Sequence, residues 1–136
     1  MSEAQATIEV LLVEDSPADA RLTQEVLKGG DVRKHHLTVV RDGVEALSYL
    51  RREGPYCDAP RPDVVLLDLN LPKMDGREVL KRIRTDPALW SIPVIVLTTS
   101  GAEGDVAGAF AEQADSYLQK PVDLIAFTRI VEGLVA

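Results

Sequence analysis

The sequence predicts an α/β fold, a doubly wound five-stranded parallel sheet built from right-handed βαβ units. Three observations predict it. Five short apolar runs recur along the chain. The first four are continuous rather than alternating, the pattern of strands covered on both faces. Segments with helical spacing and capping residues separate them, so that strand and helix alternate.

The first strand is Val10–Val13, with Ile8 before it. Ser16 then Pro17 form an N-cap and first helical position. Leu22 and Val26 lie four apart on that first helix, and Gly29-Gly30 stops it. The second strand is Leu37–Val40. Adjacent His35 and His36 precede it, as loop residues. Asp42 caps a second helix carrying Val44, Leu47 and Leu50. Arg51 to Pro62, with Pro55, Pro60 and Pro62, is a loop. The third strand is Val64–Leu67, running into Asp68. Asp75 caps a third helix with Val79, Leu80 and Ile83 on one stripe, ended by Asp86-Pro87. Val94–Leu97 is the fourth strand. A fourth helix, about residues 104–113, is rich in Gly and Ala, with Val106 and Phe110 as anchors. Tyr117–Leu118 marks a weak fifth strand. A fifth helix starts near Asp123, with Phe127, Ile130, Val131 and Leu134 at helical spacing.

The 136 residues suit one domain, residues 1–136 with a core about 7–135 and no separate output domain. Apolar residues are 46% and charged residues 27%, enough apolar content for a packed core. The net charge of −7 argues against nucleic acid or anionic membrane as a partner, because phosphate binding needs a basic face. The short basic runs, Arg51-Arg52 and Lys81, Arg82, Arg84, are expected to be solvated helix faces. The lone Cys57 is expected to be an incidental loop thiol in a reducing compartment. No signal peptide or bilayer-length apolar run is present, so a cytoplasmic location is expected.

Polar residues collect at the strand ends. The first strand ends on Glu14 and Asp15, the third on Asp68, the fourth on Thr98 and Thr99, the fifth on Lys120. In an open parallel sheet all carboxyl ends point one way, and ligands bind there. Three converging carboxylates repel, and one lysine does not offset them. A divalent cation supplies the remainder, and a few carboxylates plus water suit Mg²⁺. A carboxylate beside Mg²⁺, a lysine and a hydroxyl is suited to phosphoryl transfer, as the nucleophile. No nucleotide-binding glycine loop is present, so the phosphoryl donor is expected to be another protein or a small phospho-compound.

The motifs VLLVEDS (Val10–Ser16), DVVLLDLNLPKMDG (Asp63–Gly76), PVIVLTTS (Pro93–Ser100) and DSYLQKP (Asp115–Pro121), in that order over nearly the whole chain, resemble the receiver domain of bacterial two-component response regulators. The resemblance implies a flavodoxin-like (βα)5 fold with strand order 2-1-3-4-5. It implies Asp68 as the phospho-acceptor, and Lys120 as the lysine that pairs with a phosphoryl oxygen across a cis Lys120-Pro121 bond. Thr98 corresponds to the switch hydroxyl, with Thr99 beside it, and Tyr117 to the switch aromatic. Asp15, Asp68 and the Asn70 backbone carbonyl correspond to ligands of Mg²⁺ (or Mn²⁺), with Glu14 acting through water. From Asp68 to Thr98 is 30 residues and from Thr98 to Lys120 is 22, both usual for receivers. The span from Asp15 to Asp68, 53 residues, is long for the family. The excess falls in Arg51–Pro62, and it resembles stand-alone receivers paired with bacterial phytochromes. Val122 departs from the phenylalanine common after Lys-Pro.

The implied function is a single-domain response regulator, not an enzyme beyond its own phosphorylation and dephosphorylation. Its expected partners are a sensor histidine kinase, such as a bacteriophytochrome, and a second copy of itself. The exposed face of the first helix (Arg21, Gln24, Glu25, Lys28) is the candidate kinase surface. The face of the fourth helix, fifth strand and fifth helix, with Phe110, Tyr117, Leu118 and Arg129, is the candidate dimer interface. The alternative is a degenerate receiver acting as a constitutive binding module. A haloacid-dehalogenase-like phosphatase wants a second acid where Asn70 stands, and a histidine phosphotransfer protein wants a mid-helix histidine.

Overall fold

A computed structural model describes residues 7–28, 35–69, 71, 74–98 and 113–135. The elements run β1 (Ile8–Val13), α1 (Pro17–Lys28), β2 (His35–Val40), α2 (Gly43–Arg51), a 3-10 turn (Gly54–Tyr56), β3 (Val64–Asp68), α3 (Gly76–Thr85), β4 (Val94–Thr98), β5 (Ser116–Gln119) and a C-terminal helix (Leu124–Val135). The five strands form one sheet in the order β2-β1-β3-β4-β5, and every pairing is parallel. The expected fold class and strand order are therefore the observed ones. The expected fourth helix, 104–113, falls outside the described residues but for Gln113, which lies in a turn.

Alternation along the strands explains the double winding, because successive side chains face opposite sides of a sheet. Leu11, Val13, Val65, Leu67, Val94 and Val96 pack with Ala46, Leu47 and Leu50 of α2 and Val79, Leu80 and Ile83 of α3. Val10, Leu12, Val64, Leu66, Ile95 and Leu97 pack with Ala20 and Leu27 of α1 and Phe127 and Val131 of the C-terminal helix. Each strand side has its own apolar layer, so the central strands need apolar residues at every position.

The helix starts follow their caps. The Asp42 carboxylate accepts from the Glu45 amide at 2.8 Å, and that of Asp75 from Arg77 at 2.6 Å. The Asp123 carboxylate accepts from the Ala126 amide at 3.4 Å. Helix faces are less obedient to pattern. On α1 the buried residues are Ala20, Thr23 and Leu27, whereas Leu22 is 55% exposed. Val44, named with Leu47 and Leu50 as an apolar residue of the second helix, is 49% exposed while those two are buried. His35 and His36 lie inside β2 rather than before it, and His36 Nδ1 is 3.0 Å from Glu9 Oε1. The loop after α2 folds back as the 3-10 turn, where the Tyr56 hydroxyl donates to Glu45 and its ring meets Tyr49 edge-on at 5.2 Å. That hydrogen bond, with burial adding, pushes the Tyr56 phenol up to about 12. Cys57 is exposed, as expected of a loop thiol.

Gly76 ties the fold to the strand end. Its amide donates to the Leu69 carbonyl at 3.0 Å, so α3 begins directly against the end of β3. A Cβ there would press on the Asp68 carbonyl oxygen and lie 2.8 Å from Leu69 Cα. Both are backbone atoms with little room to yield. Gly76→Ala is therefore expected to cost about 1–3 kcal/mol, read as a lower urea midpoint with unchanged slope. A midpoint equal to that of the native chain would sink this account of the helix start.

Candidate functional site

Strand register brings the polar ends together. Val13 lies opposite Leu67, so Glu14 follows beside Asp68. Asp68 lies opposite Leu97, and Thr98 opposite Gln119. Lys120 comes next, its amide donating to the Thr98 carbonyl at 2.7 Å. The Lys120–Pro121 bond is cis. Glu14, Asp68 and Thr98 are all buried, at 1%, 3% and 2% exposure, while Asp15 is exposed at the rim. One edge of the cluster thus opens to solvent.

Lys120 is the hub. Its Nζ lies 2.7 Å from Glu14 Oε1 and 3.1 Å from Asp68 Oδ2. It also donates to Asp19 Oδ2 at 3.1 Å. Asp19 reaches the site because α1 starts where it does. Ser16 caps that helix, its hydroxyl accepting from the Asp19 amide at 3.2 Å, while the Ser16 amide donates to Glu14 Oε2 at 3.3 Å. Cap and cluster are one network. Asp19 is not among the site residues expected from the sequence. Its signal was an acid one helical turn after Asp15, which equally fits favourable charge at a helix N-terminus.

Burial pushes the Glu14 carboxyl up to about 7. Lys120 opposes that shift, and the negative charge of Asp68 adds to it. Burial alone would pull the Lys120 ammonium down, but hydrogen bonding to Glu14, the charge of Asp68 and the bond to Asp19 outweigh it and hold the ammonium above its ordinary range. Glu14 Oε1 is buried, and its close partner is the Lys120 ammonium at 2.7 Å.

The donor set fits a hard divalent cation. Glu14, Asp15 and Asp68 each offer a carboxylate oxygen, all within 4.8 Å of one another. Oxygen-only donors with an open edge suit Mg²⁺ or Mn²⁺. Three carboxylates, Glu14, Asp19 and Asp68, meet one ammonium with Asp15 beside them, so negative charge is left for a cation to offset.

Of the other expected site residues, Asn70, Thr99 and Phe110 lie outside the described residues. Tyr117 is 47% exposed on β5, and Arg129 is exposed on the C-terminal helix. Leu118 is corrected: it packs in the same apolar cluster as Ile95, Leu97 and Phe127, so it faces the core and not a partner. Val122, where the resemblance leads one to expect phenylalanine, is buried in that cluster too. Beside Lys120 and Asp19 lies a groove of about 400 Å³ walled by Leu22, Thr23, Val26, Pro121 and Val122. The exposure of Leu22 is the exposure of this groove. No helix among the described residues is long and apolar enough to cross a membrane.

Residues 10–132 match the family model described as response regulator receiver domain. Response regulator Rcp1 of Synechocystis is 49% identical over 125 residues, spanning 92% of this chain and 84% of Rcp1. A solved structure of Rcp1 is of its Mn²⁺-bound form, with TM-score 0.74 and 48% identity over 93% of this chain and 90% of that one. The phosphorylated cyanobacterial phytochrome response regulator RcpA superposes with TM-score 0.76 at 48% identity, covering 94% of this chain and 91% of that one. The bacteriophytochrome response regulator RtBRR reaches TM-score 0.85 at 39% identity, covering 96% and 80%. The fold that positions these acids and Lys120 is thus shared with these solved structures, and the chain belongs to the response regulator receiver domain family.

Proposed function

We propose that the chain is a single-domain response regulator that accepts a phosphoryl group on Asp68, in the cytoplasm, from a sensor histidine kinase or phosphotransfer protein. The observation that carries this reading is the Lys120 ammonium 3.1 Å from a buried strand-end carboxylate, Asp68, ringed by further acids. Such an arrangement suits a carboxylate nucleophile whose product gains negative charge.

In the proposed step an Asp68 carboxylate oxygen attacks phosphorus, the bond from phosphorus to the donor nitrogen or oxygen breaks, and its electron pair leaves with the donor. Lys120 donates an N–H to a phosphoryl oxygen of the product. Asp15, Asp68 and the Asn70 carbonyl, with Glu14 through water, would hold Mg²⁺ (or Mn²⁺). Bound there, the cation offsets charge on the oxygens of the transferring group. The Thr98 and Thr99 hydroxyls are donors for the phosphoryl oxygens. Thr98 moves toward the phosphoryl group, and the exposed Tyr117 turns inward behind it. Hydrolysis of the acyl phosphate at the same site resets the chain.

We assign output to protein contacts. Tyr117 and Arg129 mark a candidate homodimer face, and the α1 surface around Arg21, Gln24, Glu25 and Lys28 a candidate kinase face. The likeness to the phytochrome response regulator RcpA and the bacteriophytochrome response regulator RtBRR supports a phytochrome-type sensor kinase as the partner. The alternative of a degenerate binding module is not favoured, because a chain without the chemistry has no use for three carboxylates around one lysine.

The test is intact-mass analysis after exposure to acetyl phosphate. A gain of one phosphoryl group is expected with Mg²⁺ and none after chelation. Mass unchanged with Mg²⁺ and an excess of donor would sink the reading.

A further inference from the structure

Asp19 falls outside the set of residues that the resemblance assigns to the site, yet it takes one of the three N–H donors of Lys120. The other two face Glu14 and Asp68. The ammonium is thereby saturated with carboxylates before any phosphoryl group arrives. Asp19 differs from the other two partners in its setting. Its side chain is 42% exposed, against 0% for Glu14 and 4% for Asp68. It stands at the solvent rim, on the edge of the groove that also exposes Lys120.

Two consequences follow from charge alone. First, a phosphoryl oxygen that seeks Lys120 competes with the Asp19 carboxylate for an N–H. Second, an incoming phosphodonor is an anion, and Asp19 adds a like charge at the open edge of a cluster already rich in carboxylates. Both effects raise the barrier to phosphorylation. Neither contributes to holding Asp68, which keeps its own bond to Lys120.

We propose that Asp19 is a positioning residue that acts through Lys120 as an electrostatic brake, slowing phosphoryl transfer to Asp68 by occupying the lysine and repelling the donor. This rests on the phosphoryl-acceptor reading of Asp68 given above. The sign is specific: removing the charge accelerates the reaction. A residue that merely oriented Lys120, or merely stabilised α1, would slow the reaction or leave it unchanged when replaced.

The experiment compares native chain, Asp19→Asn and Asp19→Glu by intact-mass time courses with acetyl phosphate and saturating Mg²⁺. Asp19→Asn is expected to be phosphorylated about 3–10-fold faster at low ionic strength, the size set by a partly exposed, screened charge. The gap is expected to shrink as salt approaches about 1 M, where the screening length falls to about 3 Å. Asp19→Glu restores the native rate. Equal or slower labelling of Asp19→Asn at low salt, or an acceleration that salt leaves unchanged, overturns the proposal while Asp68 remains the acceptor. Failure of the native chain to label overturns both readings together.

Discussion

Asp68→Asn is expected to lose phosphoryl acceptance by at least about a thousandfold, because the reaction then has no carboxylate oxygen to attack phosphorus. The amide is the same size as the acid and carries no charge. Lys120 keeps Glu14 at 2.7 Å and Asp19 at 3.1 Å, so its own position survives the change. The fold should therefore persist, since Asp68 is one buried acid at the end of a strand otherwise built of Val64 to Leu67. Removing it also takes one carboxylate from the trio with Glu14 and Asp15, so affinity for Mg²⁺ should fall. Intact mass with acetyl phosphate, alongside circular dichroism of both proteins, separates loss of chemistry from loss of fold. Labelling of Asp68→Asn at the native rate would place the acceptor elsewhere.

The features legible in the sequence are those determined locally or by the sheet as a whole. β1, β3 and β4 announce themselves because both faces are covered, so Val64 to Leu67 and Val94 to Leu97 are apolar without interruption. β5 is weak in sequence for the opposite reason: at the edge of the sheet, only Leu118 of its four residues is buried. The Asp42 and Asp75 caps bind amides two or three residues away, so their signal is local. Which face a helix buries is not local. Leu22 and Val44 follow an apolar spacing yet face solvent, while Ala20 and Thr23 are buried, because the neighbouring strands and the groove beside Lys120 decide it.

The site divides along the same line. Glu14, Asp15, Asp68 and Lys120 are legible because a parallel sheet delivers every carboxyl end to one edge. Asp19 is not, since its role depends on a lysine 101 residues away and its placement alone suits a helix N-terminus. Leu118 misled in the reverse direction. A leucine beside Tyr117 on an edge strand suggests an interface, but alternation turns it into the core.

Arg84 is the largest structural effect that a charge pattern hides. In sequence it belongs to a basic helix face with Lys81 and Arg82, and Arg82 behaves that way, pairing with Glu78 at 2.9 Å on the surface. Arg84 instead turns inward, with its side chain only 20% exposed. One terminal nitrogen donates to the Trp90 and Ile92 carbonyls, each at 2.9 Å. The other pairs with Asp115 Oδ2 at 2.9 Å, and Nε donates to the Gln113 carbonyl. Asp115 Oδ2 also accepts from the Val94 amide at 2.7 Å. A single guanidinium therefore fastens the end of α3 to the segments entering β4 and β5. Arg84→Ala strands three carbonyls and one carboxylate together, and the expected cost is about 2–4 kcal/mol. For a domain of this size that is a fall in Tm of about 10 °C. Arg84→Lys should recover only a minor part, because an ammonium cannot reproduce the planar fork that reaches Trp90, Ile92, Gln113 and Asp115 at once. Arg82→Ala serves as the control, with a change within about 0.5 kcal/mol expected of an exposed i,i+4 pair. Thermal unfolding of the three variants decides the matter: equal losses for Arg84→Ala and Arg82→Ala would mean that the fork carries no more than a surface charge does.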